Sequence, residues 1–453
     1  MPLIFSKELE VRSFTVTDPQ VSLLRGPSGT WNFSSMGGGA KSKSGGSSSQ
    51  AAFSVEKLKI LNGTIVVGSA GAHGKTQTYQ EVNFEASDLS YTTQFPFTFS
   101  AKTPGNGEVK LDGKAGPIDA TDASLTPLDA KIDVNNMDLG STGFVDSASG
   151  LGGVIDFTGN VTSDGQQMTS SGTLKANKIK LAAAGSPAAV PLDVDYSTVY
   201  DLKHSSGNLK QGDVHIGKAL AHLTGSFETA GATATLEMKL NGQAMPVADL
   251  EGMLPAAGIA LPPGASLKSG SLNLNLALNG PADKLVITGP VNLSDGKLGG
   301  FNLKSKLGAL ASFPGLGGAG GSGSDTEIQT LSADIRVDPT GTQANNLKIV
   351  VPSIGTVTGK ATVAPGGKLD CKMSANLAGG IGTVTSALTS FGSSKNSKGI
   401  PFTITGTTSN PIFLPDVAGM AGNMAKGVGG VPVKGAGAAV GAIGGLFGKK
   451  KSQ

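Results

Sequence analysis

The chain has 453 residues, with 36 Lys and Arg against 33 Asp and Glu for a net charge of +3, and it carries 68 glycines, 23 prolines, 5% aromatic residues and one tryptophan. That length exceeds one ordinary core, and so few bulky side chains cannot fill a spherical interior, which leaves an extended repeat array or a thin sheet. The balanced, scattered charge excludes a nucleic-acid surface, and the lone Cys371 excludes a disulfide framework or a cysteine metal cluster and reads as a packed side chain.

Residues 1–10, MPLIFSKELE, show no charged leader followed by an apolar stretch, so no signal peptide is expected there. No run of about 18 apolar residues occurs, so no transmembrane helix is expected. Strand pattern starts at Leu9, Val11, Phe14 and Val16, meets an Asp18-Pro19 turn and resumes at Val21 to Arg25. Residues 37–51 form a Gly/Ser/Lys linker that cannot bury enough apolar surface to order itself.

From Phe53 onward apolar and small polar residues alternate, the pattern of a half-buried antiparallel strand. Strands are expected at Thr64 to Val67, Tyr79 to Leu89, Phe95 to Phe99 and Val109 to Leu111, and then about every 8 to 14 residues. The plainest is Ser271 to Leu278, SLNLNLAL, which puts Leu272, Leu274, Leu276 and Leu278 on one face and Ser271, Asn273 and Asn275 on the other. A one-residue slip would expose every leucine. Further strands are expected around Leu285 and Ile287, Ile335 and Val337, and Ile349 and Val351. Two turns repeat in wording, Gly116-Pro117-Ile118-Asp119 and Gly280-Pro281-Ala282-Asp283, which reads as degenerate repetition of hairpins. Short helices are expected over 246–258 and 304–313, from apolar residues at helical spacing. The Gly/Ala-rich segment 417–453 is weakly amphipathic and too short in its apolar part to span a bilayer, though long enough to lie on one.

No motif assembles a nucleophile with a base. Gly315, Gly317 and Gly320 have dinucleotide-loop spacing without the strand and helix that such a loop needs, and Gly68 to Thr76 imitates a phosphate loop but leads into another strand. His73, His204, His215 and His222 show no metal-ligand spacing, and the odd separation of His215 and His222 is expected to send them to opposite faces. The expectation is therefore a non-enzymatic protein without metal or cofactor. Its fold is expected to be mainly β, a long curved antiparallel sheet shaped as a groove.

Three stretches resemble the AsmA family of envelope proteins in diderm bacteria, to which TamB-type repeating β-groove proteins are related. They are Asp18 to Leu23 with Gly29-Thr30-Trp31-Asn32-Phe33, the run from Asp249-Leu250 through Leu261-Pro262-Pro263-Gly264 and Gly280-Pro281 to Gly296 to Phe301, and Ile400 to Asp416. Each is low in information alone, but their order spans nearly the whole chain. The resemblance implies the end of an upstream β segment at 1–36, groove repeats at 52–245, and an AsmA-like C-terminal β region at 246–416. It also implies that the family's membrane-anchoring helix and first β segment are missing from this sequence.

By the same resemblance the protein works in the periplasm, associated with the inner membrane through that missing N-terminal anchor, in outer-membrane homeostasis. Its partners are phospholipid, the inner or outer membrane and envelope assembly proteins. Leu272, Leu274, Leu276, Leu278, Leu285, Ile287, Ile335, Val337, Ile349 and Val351 become the candidate wall of a lipid groove. The alternative is a structural scaffold assisting outer-membrane protein assembly, with its apolar faces closed into sandwiches.

Overall fold

The computed structural model describes residues 9–26, 32, 53–69, 76–119, 125–142, 150–181, 185–230, 233–310, 324–377 and 399–416. The linker at 37–51, the glycine loop around Gly315, His73 and the tail from 417 lie outside them.

One curved, unclosed sheet accounts for nearly all of the described chain. Its strands are β1 (Leu9–Val11), β2 (Phe14–Thr17), β3 (Gln20–Arg25), β4 (Phe53–Ser69), β5 (Thr76–Ser90), β6 (Phe95–Thr103), β7 (Gly107–Ala115) and β8 (Leu128–Asp138). There follow β9 (Gly152–Ser163), β10 (Gln167–Lys180), β11 (Leu192–Asp201), β12 (Ser206–Ile216), β13 (Ala219–Glu228), β14 (Thr235–Pro246) and β15 (Ser266–Pro281). The sheet ends with β16 (Val286–Gly299), β17 (Thr326–Asp338), β18 (Gly341–Val351), β19 (Gly355–Ala364), β20 (Lys368–Leu377), β21 (Ile400–Gly406) and β22 (Pro411–Pro415). From β4 to β22 each strand pairs antiparallel with the next, a meander in which almost every contact is local in sequence.

The first row departs from the expected hairpin. Leu9 pairs with Phe53, Phe14 with Leu58 and Gln20 with Thr64, so β1, β2 and β3 lie end to end along β4 and parallel to it. Asp18-Pro19 is a kink in this row and not a reversal. Proline cannot donate to a ladder, yet Asp18 N donates to Leu61 O at 2.9 Å and Thr64 N to Pro19 O at 2.8 Å, so pairing continues across it. Asn62 Nδ2 fastens the kink to Asp18 Oδ1 at 2.6 Å. A parallel return needs a long crossover, and residues 26–52 supply its length. Counting β1–β3 as one row, the sheet has twenty rows.

Curvature has a local cause. Asn62, Glu81, Asn136, Lys178, Ala244, Asp295 and Asn346 all have positive φ, and all sit where the pairing register shifts. Each is a β-bulge, which bends its strand and increases the local twist. Neighbouring side chains latch the extra residue: Asn136 N bonds Asp156 Oδ1 at 2.7 Å, and Ala244 N bonds Asn273 Oδ1 at 2.9 Å.

The two rims of the sheet differ. The long connections 139–151, 247–265, 300–325 and 378–399 all leave from one rim, here the elaborated rim. Tight turns such as 164–166, 339–340 and 407–410 close most of the other, where both Gly-Pro sequences also lie, the first of them opening the longer connection 116–127. The segment expected to be helical at 246–258 is α1 (Val247–Leu250) followed by two 3-10 turns, Glu251–Met253 and Pro255–Ala257. The second helix is α2 (Leu303–Leu310).

Asp325 ties the base of the α2 connection together, accepting from Gly300 N at 3.0 Å and lying 3.4 Å from Lys268 Nζ and 3.5 Å from Lys297 Nζ. The Gly300 amide, then the Ser324 hydroxyl and Lys268, hold its carboxyl down to about 2. An unfolded aspartate titrates near ~3.9, so this ionised carboxylate contributes stability that is present above that value and lost as pH falls through about 2. Asp325→Asn should remove this acid-sensitive component, read as a smaller loss of denaturation midpoint between pH 4 and pH 2 than in the parent.

Candidate functional site

The ladder registers sort the side chains into two faces of opposite character. Across the sheet, Val16 is followed by Ile60, Phe84, Phe99, Leu111 and Ile132, each the cross-strand partner of the one before. The same row continues through Gly159, Gly172, Tyr196 and Gly212 to Leu223, Leu240 and Leu276. It ends through Gly289, Ile335, Ala344, Ala361, Cys371, Ile404 and Phe413. Every one of the twenty rows of the sheet therefore contributes an apolar residue, a tyrosine or a glycine, a length of about 90 Å at about 4.8 Å between strands. On the opposite face the corresponding row reads Lys59, Glu85, Thr98, Asp112, Lys131, Asn160, Ser171, Ser197 and Gln211.

The apolar face is the concave one. The plug formed by α1 and the two 3-10 turns belongs to the β14–β15 connection, yet it touches β13 and β15 and reaches back to β10. Its residues Leu250, Met253 and Ala256 pack among Ala221, Met245, Leu272 and Leu274 at one end and Ile155, Ala176 and Ile179 at the other. Backbone bonds from Leu181 N to Ala256 O at 3.0 Å and from Ala189 N to Gly252 O at 2.9 Å seat it against the β10–β11 connection. Farther on, α2 touches β22 although it leaves the sheet between β16 and β17, which requires the last strands to curl toward it.

Most of this inner face is open. Among the members of the long row that carry side chains, only Leu276 and Cys371 are fully buried, at 8% and 5% exposure, and the others are half-buried. Phe14, on the inner face of the first row opposite Leu58, is 55% exposed. Besides the stretch under the plug, the far end is closed: Val351 is wholly buried, and Val357, Cys371, Met373, Ala375 and Phe402 form a compact cluster. Burial pushes the Cys371 thiol up, in keeping with a packed side chain.

Polar groups reach the inner face mainly on β10 and β11. Ser170 Oγ and Tyr196 OH are 2.6 Å apart, Thr198 Oγ1 donates to Ser170 O at 3.4 Å, and Tyr200 OH meets Thr229 Oγ1 at 2.6 Å. Burial raises the Tyr196 phenol above its ordinary value, so it stays protonated near neutral pH. Aromatic pairs line the same face, Phe84 with Phe97 at 6.2 Å and Phe157 with Tyr196 at 5.5 Å between centroids.

The ends of the sheet are finished differently. Asp416 N bonds back to Pro401 O at 3.2 Å, so by alternation the unpaired edge of β22 carries Pro411, Phe413 and Pro415, and two of those three have no N–H to offer. At the first edge Asn32 clips β3: its side chain accepts from Leu24 N at 3.0 Å and donates to Ser22 O at 2.7 Å, while its own N–H donates to Leu24 O at 2.9 Å. The Asn of the Trp31-Asn32-Phe33 stretch is thus an edge cap.

Nine of the ten candidate groove residues share the inner face. Leu272, Leu274, Leu276 and Leu278 face Met245, Gly242, Leu240 and Met238 on one side. On the other side Leu278 meets Ile287, which meets Val337, while Ile335 lies beside Gly289 and Ile349 beside Leu331. Val351 closes the far end. Leu285 lies in extended backbone just before β16, at the short-turn rim. The equally apolar first half of the wall, Phe84, Phe97, Phe99 and Phe157 among it, did not enter that candidate set, although the alternation Phe95, Phe97, Phe99 carries the same signal.

The histidine expectation is corrected. The β12–β13 hairpin pairs Asp213 with His222 and places His215 two residues along from Asp213, so both histidines share the outer face. His222 Nδ1 lies 2.7 Å from Asp213 Oδ1, and His215 Nε2 lies 3.7 Å from Asp195 Oδ2. The chain reverses between them, so counting along one strand does not apply. Among the described residues no group of His, Cys, Asp and Glu is placed to hold a metal ion, and no helix is long and apolar enough to cross a membrane. Comparison of the chain with protein-family models, with curated proteins and with solved structures finds no match.

Proposed function

We propose that this chain is a non-enzymatic protein of the bacterial envelope that handles or transfers phospholipid along the inner face of its sheet. The resemblance to the AsmA family supports a periplasmic protein associated with the inner membrane and acting in outer-membrane homeostasis. The observation that carries the reading is the apolar row that crosses all twenty rows of the sheet and stays half-exposed at most of its side chains. Monomers rarely leave so continuous an apolar surface in water without an occupant, and each methylene moved onto it from water gains about 0.8 kcal/mol. A hydrocarbon chain fits that demand along the open stretches, and its headgroup can stay in water at the open mouth.

The test is retention of phospholipid. The purified chain is incubated with phosphatidylethanolamine and phosphatidylglycerol vesicles, separated from them, and its bound lipid extracted and identified by mass spectrometry. The parent should retain phospholipid, Leu240→Asp with Ile335→Asp should retain several-fold less, and Asn275→Asp on the outer face should match the parent. No retention by the parent, or equal retention by the inner-face variant, would overturn the reading.

The scaffold reading rests on a different patch. Ile412 and Leu414 stand 48% and 45% exposed on the outer face of β22, beside the end of the sheet whose inner face is closed. If that patch docks an assembly protein, capture of a β-barrel assembly component from solubilised envelopes should be lost in Ile412→Ser with Leu414→Ser, while lipid retention is unchanged.

A further inference from the structure

Midway along the inner face the path for any occupant narrows. On β9, β10 and β11 the half nearer the elaborated rim is covered, because Met253 and Ala256 of the plug pack with Ile155, Ala176, Leu174 and Leu192. The first inner-face positions beyond that cover are Gly172 with its partner Tyr196, then Ser170 with its partner Thr198. Whatever lies along the groove there must pass over these residues.

The hydroxyls at this narrowing do not have equal capacity. Thr198 commits its hydrogen to Ser170 O, and at the short-turn rim Thr229 donates to Ser205 O at 3.2 Å, so Tyr200 must donate to Thr229 and both hydrogens are used. Among the described residues, Ser170 Oγ and Tyr196 OH bond only to each other. Two hydroxyls bring two hydrogens, and their mutual bond uses one. The remaining O–H stands on a half-exposed inner wall beside Phe157 and Gly172, free to donate to an acceptor in the groove.

We propose that Ser170 and Tyr196 form a polar station that donates a hydrogen bond to an ester carbonyl of a glycerolipid lying in the groove. The assignment rests on the lipid-handling reading above and specifies it further, to acyl lipids linked through esters. An ester carbonyl is the acceptor that sits at the boundary between an acyl chain and its headgroup, and an alkyl ether in the same position is a far poorer one. The donor therefore reads the linkage beside the plug, where the path is partly covered.

The experiment compares a diacyl phosphatidylcholine with its dialkyl ether analogue of equal chain length, offered to the full chain in separate vesicle incubations and measured as lipid retained per protein. The parent should retain the ester lipid about fivefold better, the worth of one neutral hydrogen bond. Tyr196→Phe with Ser170→Ala should bring the ratio to one by lowering retention of the ester lipid, with both lipids still held well above background, which loss of structure would not allow. Tyr196→Phe alone keeps the ring against Phe157 and should give an intermediate ratio. Equal retention of both lipids by the parent, or an undiminished ratio in the double variant, would overturn the station and leave the groove standing. Retention of neither lipid would overturn the groove and the station together.

Discussion

Leu276→Asp should destabilise the sheet by about 4 kcal/mol, the sum of a lost leucine burial and an unpaired carboxylate among apolar neighbours. Leu276 is 8% exposed and lies between Leu240 and Gly289, with Leu274 and Leu278 on either side along its own strand. The change should appear as a lower denaturant midpoint at nearly constant slope. Asn275→Asp, one residue away on the outer face, should leave the midpoint within about 0.5 kcal/mol of the parent. A similar loss at both positions would mean that the two faces are equally buried, and the open inner face would not exist.

Gly172→Val is the second large effect, expected at about 3 kcal/mol for overpacking that the backbone cannot relieve. A Cβ at Gly172 would press on the carbonyl of Thr158, lie 2.6 Å from Gly159 Cα and 3.0 Å from Phe157 Cε2. The Phe157 ring lies over these two glycines, where it also meets Tyr196. Glycine here serves close packing of a ring on backbone, since neither residue has a positive φ. Thermal or denaturant unfolding of Gly172→Val measures the cost, and an unchanged midpoint would show that the ring does not sit there.

How far the sequence reveals this structure depends on how local the determinant is. The alternation in SLNLNLAL belongs to single strands, and it settles which face of β15 is buried before any partner is known. The repeated Gly-Pro turns mark the short-turn rim for the same reason. Other features are decided across the sheet. Asp18-Pro19 has the residues of a turn, but its hydrogen bonds run to Leu61 and Thr64 on a strand more than forty residues later, so the parallel first row is invisible locally. Bulges at Glu81 and Ala244 carry no glycine to announce them. They hold because Asn83 Nδ2 donates to Glu81 O at 2.8 Å and Asn273 Oδ1 accepts from Ala244 N at 2.9 Å.

Part of the candidate site was equally hidden. The plug at 246–258 is legible as a short helical segment, but the fact that it narrows the groove depends on Ala256 meeting β10, some eighty residues earlier. Ser170 and Tyr196 look like ordinary strand residues, and only the β10–β11 register brings their hydroxyls together.

The central claim is that the concave apolar face is a working surface open to lipid, and neighbouring positions on one strand test it most directly. A photoreactive side chain at Leu278, half-buried and outside the plug, faces the groove, and the same group at the exposed Asn279 faces outward. After illumination with phospholipid vesicles, the purified chain should carry crosslinked phospholipid, detected by mass shift, from position 278 and little or none from position 279. Crosslinking from neither position, or equal crosslinking from both, would contradict the account.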